Sequence, residues 1–303
     1  MRRYNVIERR LAEVQEDPAA ISVYINPDDN ERRHLVENLK LDEHTLLSTL
    51  DPDELSRLEF EPEHVAFIFK RPRSYSQEDH LTFRVSSAGA FLFKDRLVVV
   101  LPEDVPVFDS SQLLKMQTPV SLLLRLILRL IVHFREHLKI ISLIADELQD
   151  RLQTAMENRY LLNMFTLEKS LVYYLNAIQS NSAVLEKIKL SAAKIGFTAE
   201  EIELLDDTAI ENNQCYRQAE IYSNIVASLM DARASIVSNN LNVLMKTLNL
   251  ITIGIMVPTL VVSAFSMNVA IPMQEHPYAF WIIMGFATLS VGVVTLVWRR
   301  KRW

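Results

Sequence analysis

The sequence predicts an α+β lobe followed by a long helix and two C-terminal membrane-spanning helices. Three observations carry this reading. Short strand-like runs alternate with helical pieces up to about residue 110. Pro119 is followed by no further proline until Pro258, and Gly196 is the one glycine between Pro119 and Asn249, so that stretch is free to be helical. Finally, Thr247–Asn268 and Tyr278–Trp298 are uncharged runs of 22 and 21 residues, where about 20 span the hydrocarbon core of a bilayer.

Residues 1–110 read as the compact lobe. Strand candidates are Ile21–Ile25, His64–Lys70, Leu81–Val85, Ala90–Lys94 and Leu97–Leu101, the last two joined by a tight turn at Lys94-Asp95-Arg96. Helical pieces fit Glu31–Asn38 and Asp53–Leu58, the latter with Asp51-Pro52 as cap and first turn. Residues 111–198 form a helical pair, one helix over about Val120–Asn158 and one over about Asn163–Lys194. The chain turns at Gly196-Phe197-Thr198, where Thr198 and Glu201 have capping-box spacing. From Glu200 one helix can run through a stalk, residues 199–246, into the first membrane helix, residues 247–268. Residues 269–277 are a short outer loop, 278–298 the second membrane helix and 299–303 a basic tail. Lys246 before the first run and Arg299, Arg300, Lys301 and Arg302 after the second place both outer ends in the cytoplasm by the positive-inside rule. Tyr278, Trp281 and Trp298 sit near the ends of the second run, where interface aromatics belong.

Within the long helix one edge is unusual. Asn224, Ser228, Asp231, Ser235, Ser238, Asn242, Met245, Asn249, Thr252, Met256, Thr259, Ser263 and Ser266 recur in unbroken alternating steps of four and three, which is a heptad seam. Nearly every member is small and polar or a methionine, while Leu248, Ile251, Ile253, Ile255 and Leu260 lie beside it. A polar edge on a membrane helix suits the wall of a water-filled path, and so long a helix needs several copies of the chain around an axis. Asp231 on the seam would make a negative ring in a vestibule. Met245 and Met256 would form apolar constrictions able to gate by excluding water.

Composition excludes other classes. The net charge of −6 argues against nucleic-acid binding. Cys215 is the only cysteine, so an internal disulfide or thiolate metal site is out. No phosphate-cradling glycine motif occurs, so neither an ATP site nor an organic cofactor is expected. The start, Met1-Arg2-Arg3-Tyr4, lacks an apolar run after its arginines, giving no signal peptide and a cytoplasmic lobe. His133, Glu136 and His137 fit the H-x-x-E-H spacing of some zinc peptidases, but no third ligand is indicated and a solvated helix face is the default reading. Two acidic clusters are candidates for sensing cations or for plain solvated surface: Asp28, Asp29 and Glu31, and Glu200, Glu201, Glu203, Asp206, Asp207 and Glu211.

Ser238-Asn-Asn-Leu-Asn242-Val-Leu-Met245-Lys246, then Pro258-Thr259-Leu260 through Phe265-Ser266-Met267-Asn268, then Pro272 and the basic end, resemble the CorA family of magnesium channels. The family signature Tyr-Gly-Met-Asn is here Phe265-Ser266-Met267-Asn268. The resemblance implies a homopentamer whose first membrane helix lines the pore, with Mg²⁺ as both transported and regulatory ion. It implies an outer ring of Asn268, beside Met267 and Ser266, that meets the hydrated ion. By that match Asn242, Met245 and Thr259 would line the path and Asp231 would sit in the vestibule; Asn249, Thr252 and Met256 join the path as members of the same seam. Asp207 falls, by its distance from Asn242, where family members bind a regulatory Mg²⁺ between subunits, and Asp206, Glu211, Asp28 and Asp29 join it as regulatory candidates. If the signature glycine needs a positive φ, Ser266 would strain the turn. The alternatives are a relative moving Zn²⁺, Co²⁺ or cations with little selectivity, and a non-conducting membrane-anchored sensor.

Overall fold

The structure, a computed structural model, describes residues 1–7, 10–14, 19–75, 81–105, 118–154, 158–269 and 275–301. Its contacts divide the chain into two units, Met1–Met230 and Asp231–Trp303.

The first unit is built on a seven-stranded sheet of β1 (Arg2–Ile7), β2 (Arg10–Glu13), β3 (Ile21–Ile25), β4 (Arg57–Phe60), β5 (Val65–Pro72), β6 (Val85–Leu92) and β7 (Leu97–Leu101). The order is β2-β1-β3-β7-β6-β5-β4, with only β3 and β7 parallel. Strand alternation divides the side chains between two cores. Leu97, Val99 and Leu101, with Phe67 and Phe69, face helices α3 (Pro119–Thr154) and α4 (Asn158–Ile195). Val98 and Val100, with Phe91 and Tyr24, face Leu35, Leu39 and Leu46 on the side of α1 (Asp29–Arg33) and α2 (Glu43–Ser48). A π-helical turn, His34–Asn38, follows α1 directly. Gly89 on β6 is fixed by close approach: a Cβ there would lie 2.2 Å from Thr49 Cγ2, and Thr49 is fully buried.

Where β4 stops, a helix side chain continues the ladder. Arg57, the first residue of β4, ends the pairing with β5 on this side, opposite Ile68. Two residues on, the Lys70 N–H donates to Asn181 Oδ1 and Asn181 Nδ2 donates to the Lys70 carbonyl, each 2.8 Å. This pair pins α4 to the sheet.

Two expectations are corrected. Leu81–Val85 is not a strand: Leu81 has φ 67°, which breaks an extended chain, and β6 begins only at Val85. Asp53–Leu58 is not a helix either. Asp51 Oδ1 accepts from the Asp53 N–H at 2.9 Å, closing a local turn in place of a helix cap, and Leu58 lies in β4 opposite Phe67. The helix of that region comes earlier as α2, capped by Asp42 on the Thr45 N–H at 2.8 Å.

α4 ends at Gly196, whose φ of 91° closes the C-terminus while Gly196 and Phe197 N–H groups donate back to the Ala192 carbonyl. The capping box at Thr198 forms as its spacing indicates: Glu201 Oε2 accepts from the Thr198 N–H at 2.9 Å and Thr198 Oγ1 from the Glu201 N–H at 3.3 Å. From there α5 (Ala199–Phe265) runs unbroken. Its N-terminal part is anchored to α4 by Asn212, whose Nδ2 donates to the Ile178 carbonyl at 3.1 Å. Leu205, Cys215, Ala219 and Val226 are buried. The second unit comprises the rest of α5 and α6 (Ala279–Lys301).

Candidate ion-conduction path

Among the described residues, α5 and α6 are the two helices long and apolar enough to cross a membrane, and their apolar windows are almost wholly unburied within the chain. Inside the second unit the less exposed positions fall in stripes. On α5 they include Leu250, Gly254, Val257, Pro258, Val261 and Phe265; on α6 they include Ala279, Ile283, Ala287, Ser290 and Val294. Phe265 and Phe286 stack with centroids 6.5 Å apart and planes 2° apart, marking the side on which the helices meet.

The polar seam lies on the other side. At 3.6 residues per turn, Met256, Thr259 and Ser263 are displaced roughly 180° around α5 from Gly254, Val257 and Val261. Asp231, Asn242, Met245, Asn249, Thr252, Met256, Thr259, Ser266, Met267 and Asn268 are all exposed in the single chain. α6 therefore backs α5 and leaves the seam bare. This α6 stripe is a feature that the sequence reading missed; in a run that is apolar all round, its small residues Ala287 and Ser290 were the available signal.

Ser266 lies in the turn after α5. It is absent from the positive-φ residues of the described chain. Its N–H and Oγ both donate to the Ser263 carbonyl, at 3.1 and 2.9 Å. The hydroxyl thus helps cap the helix, and no left-handed backbone is required. Residues 270–274 of the expected outer loop, including Pro272, lie outside the described residues.

In the first unit the acidic candidates have local duties. Asp28 caps α1, with Oδ1 accepting from the Glu31 N–H at 2.8 Å. Asp206 pairs with Lys189 at 2.7 Å and Glu211 with Arg135 at 2.7 Å. Asp29 and Asp207 are exposed. Among the described residues of one chain, no group of three His, Cys, Asp or Glu side chains is placed to hold a metal.

The H-x-x-E-H segment is structural. Glu136 pairs with Arg129 at 3.1 Å, and His137 is buried with Nδ1 2.7 Å from the Tyr174 hydroxyl. Burial, reinforced by neighbouring His133, pushes His137 down to about 4. Burial also raises Tyr174, so the phenol keeps its proton.

The family described as CorA-like Mg²⁺ transporter protein matches residues 22–300. The chain belongs to the CorA family. A curated relative, the cobalt/magnesium transport protein CorA of Methanocaldococcus jannaschii, is 24% identical over 311 residues, covering 99% of this chain and 96% of the relative. The complete structure of the CorA magnesium transporter from that organism superposes with a TM-score of 0.84 at 20% identity, over 99% of this chain and 96% of that one. The full-length CmaX protein is similar in fold, with a TM-score of 0.76 at 14% identity and coverage of 100% and 98%. The ZntB cytoplasmic domain from Vibrio parahaemolyticus gives 0.62 at 12% identity, over 79% of this chain and 98% of that domain. As a CorA member the chain is a membrane-embedded divalent-cation transporter and not an enzyme.

Proposed function

We propose that the protein is a homopentameric Mg²⁺ channel in which the exposed seam of α5 lines the path and α6 faces outward behind it. The observation that carries this reading is the half-turn separation between the seam and the face turned to α6. A polar edge that its own hairpin leaves open must meet water or other copies of itself, because amides and hydroxyls facing lipid are costly.

Mg²⁺ sheds its water reluctantly, so a path for it should offer neutral oxygens to the hydration shell. Asn268 supplies these at the outer end, followed by Thr259, Thr252, Asn249 and Asn242, with Asp231 concentrating cations at the inner vestibule. Met256 and Met245, 63% and 62% exposed in the single chain, would be the dewetting constrictions. A divalent ion moving inward gains roughly 4.6 kcal/mol per 100 mV, so no ATP is needed. Lys246 and the basic residues from Arg299 onward support a topology in a plasma or inner membrane with both termini on the cytoplasmic side.

Regulation by cytoplasmic Mg²⁺ is assigned to carboxylates shared between subunits, with the exposed Asp207 and Asp29 foremost. Asp206 and Glu211 could join at small cost, since exposed ion pairs are worth about 0–1 kcal/mol. Asp28 is held back by its capping role.

The test is ion flux into liposomes carrying the purified protein, with Mg²⁺, Co²⁺, Zn²⁺ and K⁺ in parallel. Mg²⁺ entry should exceed K⁺ entry, and Asn268→Ala should abolish most of it. Unchanged Mg²⁺ flux in Asn268→Ala would refute the outer-ring assignment; absence of any flux in the wild type would favour a sensor.

A further inference from the structure

Between Asp231 and Asn268 the seam carries no charged side chain, so within the membrane something other than net charge must tell cations from anions. The amides of Asn242, Asn249 and Asn268 each offer both donors and an acceptor, which suits either sign of ion. The hydroxyls differ. Thr252 Oγ1 donates to the Leu248 carbonyl at 2.9 Å, Thr259 Oγ1 to the Ile255 carbonyl at 2.6 Å and Ser266 Oγ to the Ser263 carbonyl at 2.9 Å. A hydroxyl has one proton and two lone pairs. With the proton turned back onto the helix, only lone pairs face outward. The three residues are one heptad apart, about 10.5 Å along the axis, on the same column of the seam.

We propose that Thr252, Thr259 and Ser266 are selectivity residues that discriminate by hydrogen-bond polarity, presenting acceptor-only rungs to the permeating ion. This rests on the reading of the seam as the conduction path. The water around a cation points its hydrogens outward and finds acceptors on every rung. A hydrated anion uses one hydrogen of each water and turns that water's oxygen outward beside the remaining hydrogen, so much of its shell needs donors that these rungs have committed elsewhere. Cation preference is thereby built into an uncharged wall.

The control is intrinsic to the helix. Thr247 makes the same bond, to the Val243 carbonyl at 2.9 Å, but sits on the face opposite the seam. The experiment uses full-length protein in liposomes, reading Mg²⁺ entry and chloride entry separately. Valine matches threonine in shape and lacks the hydroxyl. Thr252→Val with Thr259→Val should lower Mg²⁺ flux roughly tenfold, the scale of a lost hydrogen bond, and raise the chloride-to-Mg²⁺ ratio. Thr252→Ser with Thr259→Ser, which keeps both hydroxyls, should retain the wild-type ratio, and Thr247→Val should leave it unchanged. A wild-type ratio in the valine double variant overturns the proposal while transport stands. A variant that merely collapses the path lowers both fluxes together without moving the ratio, which also counts against it. A wild-type protein that passes no divalent ion overturns the transport reading and this inference with it.

Discussion

Cysteine scanning of α5 from Asn249 to Ser266 tests the placement of the seam directly, because the chain carries one native cysteine and that one is silent. Cys215 is 2% exposed, and burial pushes its thiol up to about 12. At pH 8 its thiolate fraction is then about 10⁻⁴, against roughly 0.2 for a free thiol near 8.5, a disadvantage of about two thousandfold before steric shielding is counted. No cysteine-free background is needed. Single cysteines are introduced along the segment, and labelling by a charged, membrane-impermeant methanethiosulfonate is followed by mass shift and by block of Mg²⁺ flux. Expected reactivity peaks at 249, 252, 256, 259, 263 and 266 and has minima at 250, 254, 257 and 261. Apolar positions flanking the seam, such as 253 and 260, should react slowly, since the reagent does not enter a dry apolar environment. Maxima on the Gly254–Val257–Val261 face, or reactivity without helical period, would refute the assignment.

Other consequences concern the first unit. His137 is held near 4 against an ordinary value of 6.5, so the unfolded chain takes the proton first. Its neutral form therefore contributes stability that is fully present above pH 6.5 and lost as pH falls toward 4, by up to about 3 kcal/mol. Thermal midpoints of the detergent-solubilised protein between pH 7 and 4.5 should fall less steeply in His137→Gln than in wild type. Gly89→Ala places a methyl 2.2 Å from Thr49 Cγ2 and should cost about 1–3 kcal/mol by overpacking, seen as a lower denaturation midpoint. Glu201→Ala removes an acceptor from the Thr198 N–H and from the Thr118 hydroxyl; a loss of about 1 kcal/mol, and faster hydrogen exchange at the start of α5, are expected.

What the sequence disclosed depended on how much each signal was local. The long helices, the Thr198–Glu201 cap and the heptad seam were legible, because each is a periodicity or a spacing within one segment. The edge of the sheet was not. β1 begins with two arginines, and β4 looked helical because Asp51-Pro52 imitates a cap, whereas the strand is imposed by pairing with β5. The consequence of Ser266 also needed coordinates, since only the observed turn reveals that a hydroxyl bond to the Ser263 carbonyl suffices there. The acidic clusters were visible as charge, but the partners of Asp206 and Glu211 lie on other helices and no spacing announces them.

The uncovered edge of α5 also bears on how the protein is made. On the proposed ring arrangement, a newly inserted hairpin holds Asn249, Thr252 and Thr259 against nothing of its own, so a solitary protomer would be an unfinished membrane protein, energetically pressed to find its siblings or be degraded. If the proposed ring is right, co-production of defective chains should poison the assembled population out of proportion to their number, because each ring would be a sample drawn from the whole pool.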